Sequence, residues 1–314
     1  MNTMSSCNQS KITEFLLVGF SAPRPLRELL FSICLVIYIM ALGANLMIIA
    51  LYLGSHHLRS PMYFFLSNLS ANDILLSTSV VPNMLWVLLS DGKPMSVSAC
   101  VTQFFAFGFF TGVECFLLTV MAYDRYLAIC KPLHYATIMT NKHRLHLVIW
   151  SWLEIVLFLL PVTVMISHWG FCGCNTLDYI YCDTAPLLKM LCSNMFLVEG
   201  ASTVIIIPVA VIPLLFIVTT YVIISLSILG ISSNTGRQKA FSTCSSHLTV
   251  VSTFYGILIA KYTVPSNGLP INMNKTISLF YTLVAPLFNP VIYSFRNQEI
   301  QKALSRWISV KVLT

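Results

Sequence analysis

Seven long hydrophobic stretches, separated by short polar segments, dominate the chain. They cover residues 29–53, 63–89, 101–121, 145–167, 200–231, 240–260 and 276–295. Each reaches the length of about 20 residues that an α-helix needs to cross a bilayer, and none shows the short alternating pattern of a membrane β-barrel. Only Asp73, Glu114 and Glu154 bring a charge into these stretches. The pattern predicts an all-α membrane protein built as a seven-helix bundle.

The composition agrees with a chain that lies mainly in lipid. Of its 314 residues, 57% are hydrophobic and only 9% are charged, whereas about a quarter of a soluble globular chain is charged. This scarcity of charge excludes an ordinary soluble enzyme, a disordered chain and a nucleic-acid-binding protein.

The distribution of cations predicts the orientation. With the N-terminus outside, eleven of the 18 Lys and Arg residues fall in cytoplasmic segments, accompanied only by the acids Asp124 and Glu299. We therefore expect residues 1–28 to be extracellular, residues 29–295 to form the membrane domain and residues 296–314 to form a cytoplasmic tail. The loop over residues 168–199 would be extracellular, and no cleaved signal peptide is expected.

Two terminal features follow from this orientation. The extracellular segment contains Asn8-Gln9-Ser10, so Asn8 is a predicted glycosylation site. In the tail, residues 297–307 place Lys302 and Arg306 on one face and apolar side chains on another. This predicts a short amphipathic helix that lies on the inner leaflet.

Polar side chains inside four predicted helices lie at comparable depths. At about 1.5 Å of rise per residue, Asp73, Glu114, Asn45 and Asn289 lie roughly 10–18 Å from the inner ends of their spans. Carboxylate and amide oxygens are ligands that a small hard cation prefers. A carboxyl pair that shares a proton, or a polar network that only holds the helices together, is the alternative.

The cysteines divide between the two sides of the membrane. Six fall outside, where oxidising conditions permit disulfide bonds: Cys7, Cys100, Cys172, Cys174, Cys182 and Cys192. A bond from Cys100 to the loop over residues 168–199 would fix that loop over the mouth of the bundle. Spacing alone does not choose the partner.

Several motifs together resemble one family. They are MAYDRYLAIC at residues 121–130, PMYFFL at 61–66, KAFSTCSSH at 239–247, PLFNPVIYS at 286–294 and GAN at 43–45. With them the chain resembles vertebrate odorant receptors, which are rhodopsin-like G-protein-coupled receptors. The segment PLHY at 132–135 and the KAF opening resemble the tetrapod-type branch.

The resemblance implies roles for residues on both sides of the membrane. Cys100 would pair with Cys182 and Cys172 with Cys192, while Cys174 departs from the family pattern and would be free or pair with Cys7. The four buried polar residues Asp73, Glu114, Asn45 and Asn289 would form a sodium site. Arg125 would be the cytoplasmic switch, restrained by Asp124, and Tyr221 and Tyr293 would stabilise the open state.

The resemblance also implies a ligand pocket in the outer half of the bundle. Its expected residues are Phe104, Phe107, Gly108, Thr111, Gly112, Ser202, Ile205, Ile206, Val209, Tyr255, Ile259, Tyr262, Leu279 and Thr282. The wall is apolar with a few hydroxyls, which suits a small, weakly polar ligand. Amine receptors of the same superfamily carry an Asp at the position of Phe107, so an amine is disfavoured. We expect Lys261 to reach the outer surface, and the inner histidines, including His247, to contact solvent or lipid headgroups.

The function implied is that of an odorant receptor in the plasma membrane of olfactory cilia. It would activate a stimulatory olfactory-type G protein and raise cyclic AMP, with no cofactor other than an allosteric sodium ion. The alternatives are a receptor of the same fold for another small ligand and an ion-coupled transporter. A transporter would show internal repeats, which the two halves of the sequence lack. An enzyme is not expected.

Overall fold

The computed structural model describes residues 12–90, 92–192, 195–230, 233–263 and 271–312. Within these ranges the helices are α1 (Arg24–Gly54), α2 (Pro61–Leu89), α3 (Val97–Cys130), α4 (Pro132–Ile138), α5 (Asn141–Trp169), α6 (Thr184–Leu188), α7 (Met195–Ile206), α8 (Ile212–Leu229), α9 (Asn234–Thr263), α10 (Ile271–Arg296) and α11 (Gln298–Val312). A seven-helix bundle is formed by α1, α2, α3, α5, the joined pair α7–α8, α9 and α10. The predicted fold class is therefore confirmed.

The helices extend beyond the hydrophobic stretches because polar and proline residues fix their ends. Pro61 begins α2, where the missing N–H of proline is tolerated. The Ser96 side chain accepts a hydrogen bond from the Ala99 N–H at the start of α3, and Thr140 caps α5 in the same way. The helix ends thus lie in polar segments, and hydrophobicity alone does not predict their positions.

Six helices within the described ranges are long and apolar enough to cross a membrane. Helix α9 is as long as the others, with 30 residues, but its first half is rich in serine, threonine and other polar residues. The uncharged stretch 240–260 therefore covers only part of that helix. Large apolar side chains remain exposed on the outer faces of the bundle, for example Leu157 and Leu226, as expected of helices that contact lipid.

The fifth span is not a regular α-helix. Residues Ile207–Val211 form a π-helical segment that joins α7 to α8. Pro208 lies in it and has no N–H to donate to the preceding turn, so the local hydrogen bonding differs from that of an α-helix. Within this segment Val209 is buried towards the bundle. Such segments often occur at functional sites.

A small sheet covers the outer side of the bundle, which the hydrophobic pattern did not predict. Strand β1 (Glu14–Leu17) lies between β2 (Lys93–Ser96) and β3 (Thr176–Leu177), antiparallel to the first and parallel to the second. Phe15 and Leu17 of β1 are fully buried. The sheet thereby joins the N-terminal segment to the extracellular loops. The predicted glycosylation site Asn8 lies outside the described residues.

The C-terminal helix α11 follows α10 after a single residue, Asn297. Its side chains Ile300 and Ala303 are buried, and Ile300 lines a small apolar cavity together with Leu51 of α1 and Leu66 of α2. The opposite face carries exposed Lys302. This is the amphipathic arrangement expected of the tail, extended by the structure to residue 312.

Candidate functional site

A cavity lies between α3, α5, α7 with the π-helical segment that follows it, α9 and the first residue of α6. Its volume is about 810 Å³, a figure that includes the open space at its mouth. The lining residues are Phe104, Phe107, Gly108, Thr111, Gly112, Cys115, Ile155, Leu159, Val162, Thr184, Ser202, Ile205, Ile206, Val209, Ala210, Leu258 and Tyr262. Most of this wall is apolar, and four of its side chains carry a hydroxyl group.

Ten of the fourteen expected pocket residues line this cavity, and four do not. Tyr255 is buried against Phe254, with ring centroids 5.1 Å apart, and Thr282 is buried with its hydroxyl donated to the backbone of α10. Leu279 packs against the core, and Ile259 is half exposed. The cavity is displaced towards α5, so the expected contribution of α10 is absent from its described lining.

The side of the cavity formed by α5 was missed by sequence reasoning. Ile155, Leu159 and Val162 line it, although nothing in their sequence distinguishes them from other apolar residues of that helix. The structure also explains the two glycines of α3. A Cβ added to Gly112 would lie 2.3 Å from Ile155 Cδ1, and one added to Gly108 would lie 3.1 Å from Leu159 Cδ2. Both glycines permit close packing of α3 against α5, and both also line the cavity.

Two polar side chains in the cavity wall differ in their hydrogen bonding. Thr111 accepts a hydrogen bond from the Tyr281 hydroxyl at 3.0 Å. The Ser202 hydroxyl is buried and has no hydrogen-bond partner within the described part of the chain. Because buried polar groups are normally paired, Ser202 is the wall residue best suited to bind a polar group of a ligand.

Two disulfide bonds fix the extracellular loop. They join Cys100 to Cys182 and Cys172 to Cys192, which are the pairings that the family resemblance implies. The first bond ties the loop to α3, where the Gln103 side chain also accepts the Cys182 N–H at 3.1 Å. Cys174 is disulfide-bonded as well, so the alternative of a free thiol is wrong. Cys7 lies outside the described residues.

Lys261 does not reach the outer surface as expected. Its ammonium group forms an ion pair with Asp183 at 3.0 Å, and both side chains are more than nine-tenths buried. It also donates to the Tyr181 hydroxyl at 2.9 Å and lies 4.3 Å from the centroid of the Phe107 ring. The buried carboxylate of Asp183 in the loop holds the lysine inside the protein. The sequence pattern did not predict this, because it treats the loop as solvated.

A second lysine fixes the loop to α10. Lys275 is buried and donates to Asp178 and to the backbone oxygen of Gly19, each at 2.5 Å. Beside it, the hydroxyls of Tyr179 and Ser278 are 2.6 Å apart. The loop is thus connected to α3, α9 and α10, and together with β1 it covers the mouth of the bundle.

The two loop tyrosines stay neutral at physiological pH. Burial, followed by the nearby carboxylate of Asp183, raises the pKa of Tyr179 and of Tyr181 above the usual value for tyrosine. The hydrogen bonds of Tyr179 to α10 and of Tyr181 to Lys261 therefore do not depend on tyrosine ionisation.

Three of the four expected polar residues meet deeper in the bundle. The Asn289 amide donates to Asp73 Oδ2 at 3.0 Å and to Glu114 Oε1 at 3.1 Å. Asn45 instead donates to the backbone oxygens of Ala41 and Pro286. Glu114 Oε2 and Asn45 Oδ1 are buried without a partner in the described chain. Two buried carboxylates around one amide require a compensating proton or cation.

The expected cytoplasmic switch forms a compact cluster at the end of α3. Arg125 pairs with Asp124, which is fully buried and also accepts a hydrogen bond from the Tyr135 hydroxyl at 2.8 Å. Tyr135 in α4 was not anticipated, because no local pattern links that loop helix to α3. It holds the carboxylate from the side opposite the guanidinium.

The two tyrosines assigned to the open state are not hydrogen-bonded to Arg125. The Tyr221 hydroxyl lies 2.7 Å from His247 Nδ1, with the two rings stacked. The Tyr293 hydroxyl is buried and has no partner among the residues that the structure describes. His247 is completely buried, so the expectation that it contacts solvent or headgroups is wrong. A tyrosine on the neighbouring helix provides its polar environment.

Comparison with known proteins identifies the family. A family profile described as "Olfactory receptor" matches residues 33–311. The chain is 41% identical to olfactory receptor 5G29 of Mus musculus over 98% of both chains. It is 44% identical to olfactory receptor 11G2 of Homo sapiens, over 96% of this chain and 88% of the relative. The chain belongs to the olfactory receptor family. This receptor is therefore a multi-pass membrane protein and not an enzyme, with an odorant as ligand and a G protein as partner.

A solved structure supports the same fold for the receptor. The crystal structure of squid rhodopsin matches with a TM-score of 0.68, at 18% identity, over 94% of this chain and 88% of rhodopsin. At that identity the likeness shows the seven-helix architecture alone. The site residues are therefore taken from the receptor's own structure and not from rhodopsin.

Proposed function

We propose that the receptor binds a small, mostly apolar odorant in the cavity between α3, α5 and α7. The observation that carries this proposal is the cavity itself, whose largely apolar wall with a few hydroxyl groups suits a ligand of that class. The unpaired Ser202 hydroxyl offers one hydrogen bond to a carbonyl, ester or alcohol group. Phe107 supplies no negative charge, and the carboxylate of Asp183, which precedes the lining residue Thr184, is already paired with Lys261.

Binding is proposed to activate a stimulatory olfactory-type G protein and to raise cyclic AMP in olfactory cilia. Support comes from the Asp124–Arg125 pair with Tyr135 at the inner end of α3, and from Tyr221, which is held by His247 rather than by Arg125. This is the arrangement expected of a resting receptor. On activation, Arg125 would leave Asp124 and turn towards the G protein.

The test is a screen of volatile compounds in cells that carry the receptor and a cyclic AMP reporter. We expect responses to small apolar or weakly polar compounds and none to charged amines of the same size. If an inhibitory G protein is co-expressed in place of the stimulatory olfactory-type G protein, the rise in cyclic AMP should disappear. A receptor that reaches the surface and responds only to amines would contradict the proposed ligand class.

We further propose that sodium occupies the site formed by Asp73, Glu114 and Asn289, with Asn45 beside it. The donor set fits a hard cation, because the unpaired oxygens Glu114 Oε2 and Asn45 Oδ1 are available as ligands. When bound, the ion would supply the positive charge that two buried carboxylates require. The ligands offered here are oxygen atoms of carboxylates and amides, which suit a hard cation.

Substitution of Asp73 tests the sodium site. Asp73→Asn keeps the side-chain shape but removes one carboxylate, so the potency of an agonist should no longer depend on the sodium concentration. Dose–response curves in sodium and in choline buffer measure this, with Glu28→Gln, which removes an exposed carboxylate of α1, as the control. If the substituted receptor keeps the sodium dependence of the parent, the ion lies elsewhere.

A further inference from the structure

A groove on the predicted cytoplasmic side separates the end of α1 from α11. Its volume is about 800 Å³, including the space at its opening. His56 and His57, which follow α1, lie on one wall, and Lys302, Arg306 and Trp307 of α11 lie on the other. None of these residues belongs to the odorant cavity, the buried acid cluster or the Arg125 switch.

The walls of the groove are held in place by the fold. Ile300 of α11 is buried against side chains of α1 and α2. At the start of α11, Asn297 Oδ1 accepts hydrogen bonds from the Tyr63 hydroxyl and the Glu299 N–H, both at 3.0 Å. The groove is therefore a preformed concavity and not a gap between a mobile tail and the bundle.

The groove has an excess of positive charge and hydrogen-bond donors. Glu299 is the one acid among the described residues that line it, and it pairs with Lys302 at 2.9 Å. That hydrogen bond, followed by the positive charges of Lys302, Arg306 and His57, lowers the pKa of Glu299. Both partners of the pair are more than half exposed, so the pair is weak and Lys302 can turn to another anion.

The position of the groove indicates where such an anion comes from. Helix α11 is amphipathic, and helices of this kind lie at the boundary between headgroups and acyl chains. Trp307, an aromatic residue typical of membrane interfaces, stands at the edge of the groove. The opening of the groove is thereby placed at the level of the inner-leaflet headgroups.

We propose that this groove binds the phosphorylated inositol headgroup of an anionic inner-leaflet lipid. Basic pockets on the cytoplasmic side of membrane proteins bind headgroups of this class. Donors on two facing walls match a headgroup with phosphate groups at more than one position. A serine headgroup has a single net charge and would bind any cationic surface equally well. This inference does not depend on the identity of the odorant.

Lipid nanodiscs test the proposal with the complete receptor. The purified protein is placed in phosphatidylcholine discs that contain either phosphatidylinositol bisphosphate or phosphatidylserine at matched total charge. Native mass spectrometry counts the retained lipids, and thermal unfolding gives the Tm. We expect the inositol lipid to be retained and to raise the Tm, whereas phosphatidylserine at the same charge should do neither.

Two pairs of substitutions locate the binding site. Lys302→Gln with Arg306→Gln should weaken retention of the inositol lipid about 30-fold, because each cation that contacts the headgroup in the groove contributes roughly a fivefold factor. His56→Gln with His57→Gln tests the opposite wall and should also weaken retention. The matched control is Lys131→Gln with Lys142→Gln, which removes the same charge from exposed cytoplasmic positions outside the groove and should leave retention unchanged.

Three results would overturn the proposal. Equal retention of phosphatidylserine would show attraction to charge without headgroup recognition. Equal losses in the control pair would place the binding outside the groove. The third result concerns soluble inositol trisphosphate, added to receptor in discs of phosphatidylcholine alone. If it binds more tightly than the inositol lipid does, the ligand is a soluble molecule and not a membrane lipid.

Discussion

Some of the unpaired polar atoms inside the bundle belong to residues that the sequence marked as functional. Glu114 Oε2 and the hydroxyls of Ser202 and Tyr293 are buried and have no partner among the described residues. Leaving such an atom unpaired costs about 1–3 kcal/mol. Each of these groups is therefore expected to gain a partner from a ligand, an ion, water or the active conformation.

Ser202 provides the sharpest test of the ligand cavity. Replacing it with alanine removes the unpaired hydroxyl without leaving another group unsatisfied, so stability should not fall. A carbonyl or alcohol agonist should lose about two- to tenfold in potency, the value of one net hydrogen bond. A hydrocarbon agonist of similar size should be unaffected.

Thr203→Ala is the matched control for Ser202→Ala. The Thr203 side chain is exposed and donates to the backbone oxygen of Glu199, so its removal should change neither response. Equal effects of the two substitutions on potency would refute a direct contact between Ser202 and the ligand.

The Lys261–Asp183 pair should be strongly coupled because it is buried. Lys261→Met or Asp183→Asn alone leaves a charge without its partner, at a cost of about 3–5 kcal/mol, and should lower the Tm markedly. The double substitution should be less destabilised than the sum of the two single ones. Thermal unfolding of purified receptor measures all three variants.

The exposed pair Arg24–Glu28 is the control for this cycle. Its side chains are 82% and 55% exposed, and a pair in that position contributes about 0–1 kcal/mol. Arg24→Ala and Glu28→Ala should therefore leave the Tm almost unchanged. Strict additivity at Lys261 and Asp183 would show that the buried pair does not act as a unit.

At the scale of elements, the helices were predictable and the extracellular cap was not. Hydrophobic stretches of 20 residues or more identify membrane helices, because a helix needs about that many apolar residues to cross the hydrocarbon core of the bilayer. Strands of two to four residues, such as β1 and β3, are too short to show any periodicity. They exist because distant segments meet above the bundle, and a linear pattern does not contain that information.

The same limit applies to the candidate site. The helical spacing of Phe104, Phe107 and Thr111 correctly placed them on one inner face of α3. The burial of Lys261 and His247 depends on Asp183 and Tyr221, each from another element. Charge patterns predict the depth of a residue in the membrane, but they do not show which side chain of another element it contacts there. For that reason, both residues were wrongly expected to be solvated.

The disulfide bond between α3 and the extracellular loop can be tested by substitution of its two cysteines. Cys100→Ser and Cys182→Ser each break the same disulfide, so both should reduce surface expression and odorant response to the same degree. The double substitution should be no worse than either single one. Flow cytometry of intact cells and the cyclic AMP response measure the two effects.

Free cysteines within the helices serve as the control for this bond. Cys34 and Cys115 are buried and not disulfide-bonded; Cys34→Ala should leave the loop in place and cause a smaller loss. Additive damage from Cys100→Ser and Cys182→Ser would mean that the two residues act separately.

For the whole molecule, ligand binding at the outer side must change the inner side. The cavity and the Arg125 switch share α3, which runs without interruption from Val97 to Cys130. The acid cluster lies on the same helix between them, at Glu114. A single rigid element thus contacts the ligand cavity, the proposed ion and the switch.

Arg125→Ala tests this coupling. The buried Asp124 carboxylate keeps its hydrogen bond from Tyr135 but loses its ion-pair partner, so the Tm should fall and the response is compared at matched surface expression. The odorant-driven rise in cyclic AMP should be lost. Lys131→Ala, which removes an exposed cation at the end of α3, should keep the response. A full response from Arg125→Ala would rule out its role as the switch.

The order of synthesis gives the three-stranded sheet a further consequence. Strand β1 precedes the other described elements in the chain, yet its partner β3 is made only after α1, α2, β2, α3, α4 and α5 have followed. Until that loop has been made, β1 therefore lacks one of its two strand partners, and Phe15 lacks Phe171, against whose ring it packs. We expect receptors halted during insertion to display this apolar strand to the quality-control machinery of the secretory pathway, so that completion of the sheet marks a chain as ready for export.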